Sequence, residues 1–151
     1  MIGLAADQAE LLRVLERHGV EFVVVGGVAA QIHGWQGSTA DLDIAVSRAD
    51  SNVERLNRAL ASVGAGPPAF GAFGTAFTTR YGRLEIVRRA DAVGEYADWL
   101  ARARKHRLEE GLTVVVAAPA DILRSKQAAG REKDRAALPQ MRKDFDDTGA
   151  R

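Results

Sequence analysis

Asp41-Leu42-Asp43-Ile44-Ala45-Val46 sets two carboxylates two residues apart at the head of an apolar run, and nothing else in the chain restricts its folding so sharply. In a strand, residues i and i+2 point to the same face, and the backbone rises about 3.3 Å per residue. Asp41 and Asp43 therefore project side by side, roughly 6–7 Å apart at the backbone. Two like charges at that separation repel by about 3 kcal/mol, taking an effective dielectric of about 20. A hard divalent cation bound through oxygen removes that repulsion, so the pair reads as a metal clamp. A strand end whose carboxylates cap a neighbouring helix or pair with Arg48 would use the same residues. From these residues alone both readings stay open.

At 151 residues, 46% of them hydrophobic, the chain suffices for one domain with a true core. Its 21 Lys and Arg against 20 Asp and Glu give a net charge of +1, so no overall field favours nucleic acid or a membrane surface. The absence of cysteine excludes disulfides, thiolate metal sites and cysteine nucleophiles. No apolar run reaches the roughly 18 residues of a membrane span, and the first residues lack the pattern of a signal peptide. The expectation is a soluble, cytoplasmic protein.

The periodicities predict alternating helices and strands. Asp7 to Glu10 has capping-box spacing ahead of a helix that stops near His18-Gly19. Residues 21–25 read as a buried strand, broken by Gly26-Gly27, and residues 28–33 as a short helix. A loop over 35–39 leads into a strand over 41–46, and Asp50 caps a helix to about Val63. Residues 64–68 form a loop, and 73–79 with 83–87 a hairpin around Tyr81-Gly82. Residues 95–106 read as helix and 112–117 as a second buried strand. Pro119 opens a helix toward Ala129, Gly130 interrupts it, and 132–142 continue helical. One domain over 1–143 and a polar, frayed tail over 144–151 are expected. The implied class is α/β (α+β): a mixed, twisted sheet with helices packed on it.

Glycines at a strand-to-helix turn let backbone N–H groups approach an anion closely. Turns also need glycine for steric reasons alone, so Gly26-Gly27 gains meaning only with the aspartates that follow. One element can then hold phosphates and the next the metal that bridges them, which are the parts phosphoryl transfer needs.

With Gly26-Gly27, the flanking Val23 to Val25, Asp41-Leu42-Asp43 and Ile44 to Val46, the chain resembles the nucleotidyltransferase superfamily, the polymerase-β-like fold. Small bacterial members include antibiotic nucleotidyltransferases and the AbiEii-type toxins of toxin–antitoxin pairs. The segment Lys126-Gln127-Ala128-Ala129-Gly130-Arg131-Glu132-Lys133-Asp134 is similar to the Lys-x4-Arg-x-Lys-Asp stretch of AbiEii-like members. The resemblance implies a third carboxylate on a later strand. Glu85, in the centre of Arg83-Leu84-Glu85-Ile86-Val87, is the candidate. It further implies Mg²⁺ (or Mn²⁺) held by Asp41, Asp43 and Glu85, and a nucleoside triphosphate held by Gly26, Gly27, Lys126 and Arg131. The acceptor hydroxyl would belong to tRNA, a protein or a small molecule, and a toxin or antitoxin partner is implied.

The chain departs from the family pattern in four places. Gly27 replaces a usual serine, Glu85 a usual aspartate and Ala137 another aspartate, and the 35–39 loop has no arginine. A nucleotidyltransferase-fold module that binds nucleotide or a protein partner without reacting is the alternative. Other residues have plainer readings. Glu85 suits a solvated edge hairpin paired with Arg80, Arg83 or Arg88, and Lys133 with Asp134 suits a local pair. The basic run from Arg102 to Arg107 suits either a solvated helix face or RNA contact. His33 and His106 lack metal-ligand spacing, which points to structural roles. Trp35 suits base stacking or cover for the core.

Overall fold

A computed structural model describes residues 4–66 and 75–150. Along the chain run α1 (Ala6–Arg17), β1 (Phe22–Val25), α2 (Gly26–Ile32), β2 (Leu42–Val46), α3 (Asp50–Ser62), β3 (Thr75–Thr79), β4 (Gly82–Ile86), α4 (Tyr96–Leu100), β5 (Arg104–Glu109), β6 (Leu112–Val116), α5 (Pro119–Ala129) and α6 (Glu132–Thr148). The strands form one six-stranded mixed sheet in the order β3-β4-β2-β1-β6-β5. Antiparallel pairs are β1/β2, β3/β4 and β5/β6; β1/β6 and β2/β4 are parallel. This is the single α/β domain with a mixed sheet that the sequence implies.

The apolar runs explain the layering. Every residue of β1 is buried, because strands flank it on both edges and helices cover its faces. Leu11, Leu12 and Leu15 of α1, Leu56 and Leu60 of α3, Trp99 of α4 and Ile122 of α5 all show 1% exposure or less. Buried apolar surface of this kind supplies most of the driving force for folding.

One polar side chain inside that core is structural. Asn52 is fully buried in α3, accepts the Glu21 N–H at 2.7 Å, and donates to Glu21 O at 3.1 Å and Ser47 O at 2.7 Å. It thereby ties the entry of β1 to the exit of β2. Asn52→Ala strands those buried groups and is expected to lower the unfolding free energy by about 2–3 kcal/mol. A urea titration reads this as a lower midpoint at unchanged slope; an unshifted midpoint contradicts it.

Several expectations need correction. Residues 95–106 do not form one helix: α4 ends at Leu100 and β5 begins at Arg104. Helical propensity is overridden here by the hairpin with β6, closed over Glu110-Gly111 with Gly111 at φ +77°. From Arg104 onward the basic run is therefore an edge strand rather than a helix face. Its first member, Arg102, is pinned to the fully buried carboxylate of Asp121, which Arg124 also engages.

The tail after Asp144 is not frayed. α6 continues to Thr148 and is capped by Gly149 at φ +71°. Asp144 and Phe145 are buried: Asp144 accepts the Gln36 N–H at 2.9 Å, and the Phe145 ring meets His33 edge-on at 5.8 Å. Asp7 and Asp50 are first-turn residues that face the helix dipole. The cap positions belong to Ala5 and Ala49, neither with a side-chain cap bond. Gly26-Gly27 do not separate β1 from a later helix; they are the first turn of α2. Asp41 immediately precedes β2 rather than lying in it. The hairpin is found as β3/β4, and the predicted positions 67–68 and 73–74 fall outside the described residues.

Candidate active site

In the sheet, Asp43 of β2 stands opposite Glu85 of parallel β4 and opposite Val25 of β1. Parallel register sends the Asp43 and Glu85 side chains to the same face, and Asp41 joins them from just before β2. One carboxylate oxygen from each of the three lies within 4.8 Å of the others. The longer side chain of Glu85 thus still reaches the pair. Arg48, an alternative partner for the aspartates, lies instead within 3.7 Å of Glu95. Arg83 Nε approaches Asp41 Oδ2 at 3.3 Å.

The fourth side of this cluster is glycine. Gly26 follows Val25 directly and has φ +68°, and a Cβ there would lie 2.3 Å from Asp43 Oδ2. A Cβ on Gly27 would lie 2.8 Å from Cβ of Thr39. The glycine pair is required by close approach, since any side chain at Gly26 would displace the carboxylate beside it.

Asp43 carries the electrostatic strain of the site. Its Oδ1 is buried and accepts no hydrogen bond from the described residues. Its pKa is pushed up to about 7, first by burial and then by the charges of Glu85 and Asp41, against the pull of Lys126. An orphaned carboxylate oxygen among three clustered acids is the donor set a hard divalent ion takes. The residues present fit such an ion.

Facing the acids is a wall of cations. Lys126 of α5 and Arg131, the N-cap residue of α6, both bind Asp134. Lys126 Nζ lies 3.2 Å from Asp134 Oδ1, and Arg131 Nε lies 2.7 Å from Oδ2. The expected Lys133–Asp134 pair is not formed, because the α6 helix turns Asp134 inward and Lys133 toward the cavity. The two walls bound a cavity of about 750 Å³. Gly26, Gly27, Asp41, Asp43, Glu85, Lys126 and Arg131 all line it.

Sequence reasoning missed other lining residues: Ser38 and Thr39 ahead of Asp41, Ser125 one residue before Lys126, and Arg89 and Asp91 beyond β4. Hydroxyls next to the motif residues were a usable signal. Arg89 and Asp91 had none, because the turn bridging Ala90 and Gly94 sets their direction. Trp35 packs against the core and also forms part of the cavity rim. His33 is structural: Nε2 donates to Ala117 O at 2.8 Å and the ring meets His106 edge-on at 5.0 Å.

No family model matches the chain, and no curated protein matches it. Solved structures do. The lincosamide antibiotic adenylyltransferase LnuA, with lincomycin bound, superposes with TM-score 0.66 at 14% identity, over 92% of this chain and 96% of that one. The antibiotic-resistance factor ANT(2'')-Ia gives TM-score 0.63 at 13% identity, over 87% of this chain and 78% of its own. An antigenic nucleotidyltransferase-like protein from Paracoccidioides brasiliensis gives 0.53 at 21% identity, over 88% and 72%. At such identities the likeness is one of fold, shared with an adenylyltransferase and a nucleotidyltransferase-like protein.

Proposed function

We propose that the chain is a metal-dependent nucleotidyltransferase that moves a nucleoside monophosphate from a nucleoside triphosphate to an acceptor hydroxyl. The observation that carries this reading is the trio of Asp41, Asp43 and Glu85, with the orphaned Asp43 Oδ1, facing Lys126 and Arg131 across one cavity. Asp41, Asp43 and Glu85 would hold Mg²⁺ or Mn²⁺, which when bound supplies charge neutralisation and Lewis acidity at the phosphoryl group. Gly26 and Gly27 give up their side-chain space to Asp43 and Thr39, and as lining residues would present backbone to the phosphates. Glu85 accepts the proton of the acceptor hydroxyl, and Lys126 and Arg131 take up negative charge developing on the leaving pyrophosphate.

The acceptor classes to test are tRNA, protein and small molecules. The last leads, because LnuA holds lincomycin and ANT(2'')-Ia has been captured with adenylyl-2''-tobramycin. A toxin or antitoxin partner follows from the AbiEii-like segment and is tested by copurification with the product of an adjacent gene. Changing Asp41 and Asp43 together to asparagine should abolish transfer of labelled nucleotide, by at least a factor of roughly a hundred, while the far-ultraviolet circular dichroism stays unchanged. Wild-type transfer by that double variant would refute the assignment.

A non-reacting nucleotide-binding module is the second reading. It rests on Ala137, which lines the cavity where the resemblance implies an aspartate. Calorimetric binding of a triphosphate with Mg²⁺, without transfer to any of the acceptor classes, would select it.

A further inference from the structure

We infer that Asp134 is a positioning residue for the cation wall: it touches no ligand itself and holds Lys126 and Arg131 in the posture that meets a triphosphate. The inference rests on the nucleotide-binding reading above.

Asp134 has no exposed surface and does not line the cavity, whereas Lys126 and Arg131 do. Both of its oxygens are engaged. Oδ1 receives Lys126 Nζ at 3.2 Å and the Arg131 terminal nitrogen at 3.3 Å, while Oδ2 receives Arg131 Nε at 2.7 Å. The three residues straddle the joint between α5 and α6, where Gly130 turns the chain at φ +61°. Arg131 is itself mostly exposed, and a long exposed side chain without a fixed partner samples many rotamers. A buried carboxylate is a poor choice for joining two helices, since apolar contact would serve stability as well or better. What it supplies is geometry: the planar guanidinium fork and the ammonium are held in place on the cavity wall. Arg131 feels the charges of Glu85 and Asp43 across the cavity, which places it within electrostatic reach of whatever lies between.

The sign of one measurement separates positioning from plain charge. Removing a carboxylate beside two cations raises the local positive charge, so electrostatics alone predicts tighter binding of an anion. Positioning predicts the opposite. Inorganic tripolyphosphate with saturating Mg²⁺ is titrated calorimetrically into the wild-type chain and into Asp134→Asn, with Mg²⁺ alone titrated into both. The expected result is at least about tenfold weaker tripolyphosphate binding by the variant, with Mg²⁺ binding unchanged. Equal or tighter binding by Asp134→Asn overturns this inference and leaves the nucleotide reading standing. A wild-type chain that does not bind the probe overturns both. If Asp134→Asn does not fold, the wild type carries the test through the Arg131 Nε–H signal in nuclear magnetic resonance. That proton should stay protected from exchange when tripolyphosphate is added, and loss of protection overturns the inference.

Discussion

Asp43→Asn will stabilise the metal-free chain at pH 8 and remove its response to Mg²⁺. The folded-state pKa of Asp43 is about 7 against an ordinary 3.8, so the folded chain holds that proton more tightly than the unfolded chain does. Stability on this account is full below about pH 4, falls as pH rises toward 7, and stays reduced above 7. Asparagine never ionises and escapes the loss. In EDTA at pH 8 the variant should be more stable by about 2–4 kcal/mol, or roughly 5–10 °C in Tm. The gap should narrow as pH falls and close near pH 4. Saturating Mg²⁺ reverses the order, because only the wild type gains binding energy by mass action. Below pH 7 that binding should also release protons, which calorimetry in buffers of different ionisation enthalpy would register. A variant less stable than wild type at pH 8 without metal would remove the electrostatic account of the trio.

Gly26→Ala is expected to have the second large effect. Two costs coincide at this position. The left-handed backbone at φ +68° penalises any L side chain by about 1–2 kcal/mol. The new Cβ would also sit 2.3 Å from Asp43 Oδ2 and 3.1 Å from its Cβ and Cγ, so the carboxylate must move. Gly64→Ala is the control, because Gly64 has φ +79° and a Cβ added there would meet nothing within 4 Å. Gly64→Ala should cost the backbone penalty alone and leave Mg²⁺ binding intact. Gly26→Ala should cost at least about 2 kcal/mol and lose Mg²⁺ binding and transfer together. Matching losses for the two variants would mean that the approach to Asp43 is not what keeps Gly26 a glycine.

Much of this arrangement was legible from local pattern. The β1 valines, the run from Leu42 to Val46 and the run from Leu112 to Val116 announce strands, because short apolar stretches rich in β-branched residues suit a sheet; β1 is buried throughout, whereas β6 exposes Thr113. Asp41 and Asp43 announce themselves as charges where an apolar run leaves no cheap place for them. Residues 95–106 misled because Ala, Leu, Arg and Lys favour helix locally. The exposed edge of β6 is a demand that only the assembled sheet makes, and β5 meets it. The 144–148 segment misled for a similar reason, since its polar residues find partners as distant in sequence as Gln36 and His33.

By itself, then, the chain determined five of its six strands, its glycine pair and the acids and bases available for chemistry, because these follow from short-range periodicity and from the cost of burying charge. Only the tertiary structure decided that Glu85 lies beside Asp43, that Asp134 serves Lys126 and Arg131 rather than Lys133, and that Arg89 and Asp91 reach the same cavity. Each of those outcomes depends on strand register or on the direction in which a helix faces. Both are settled when distant segments pack, and no local window of sequence contains them.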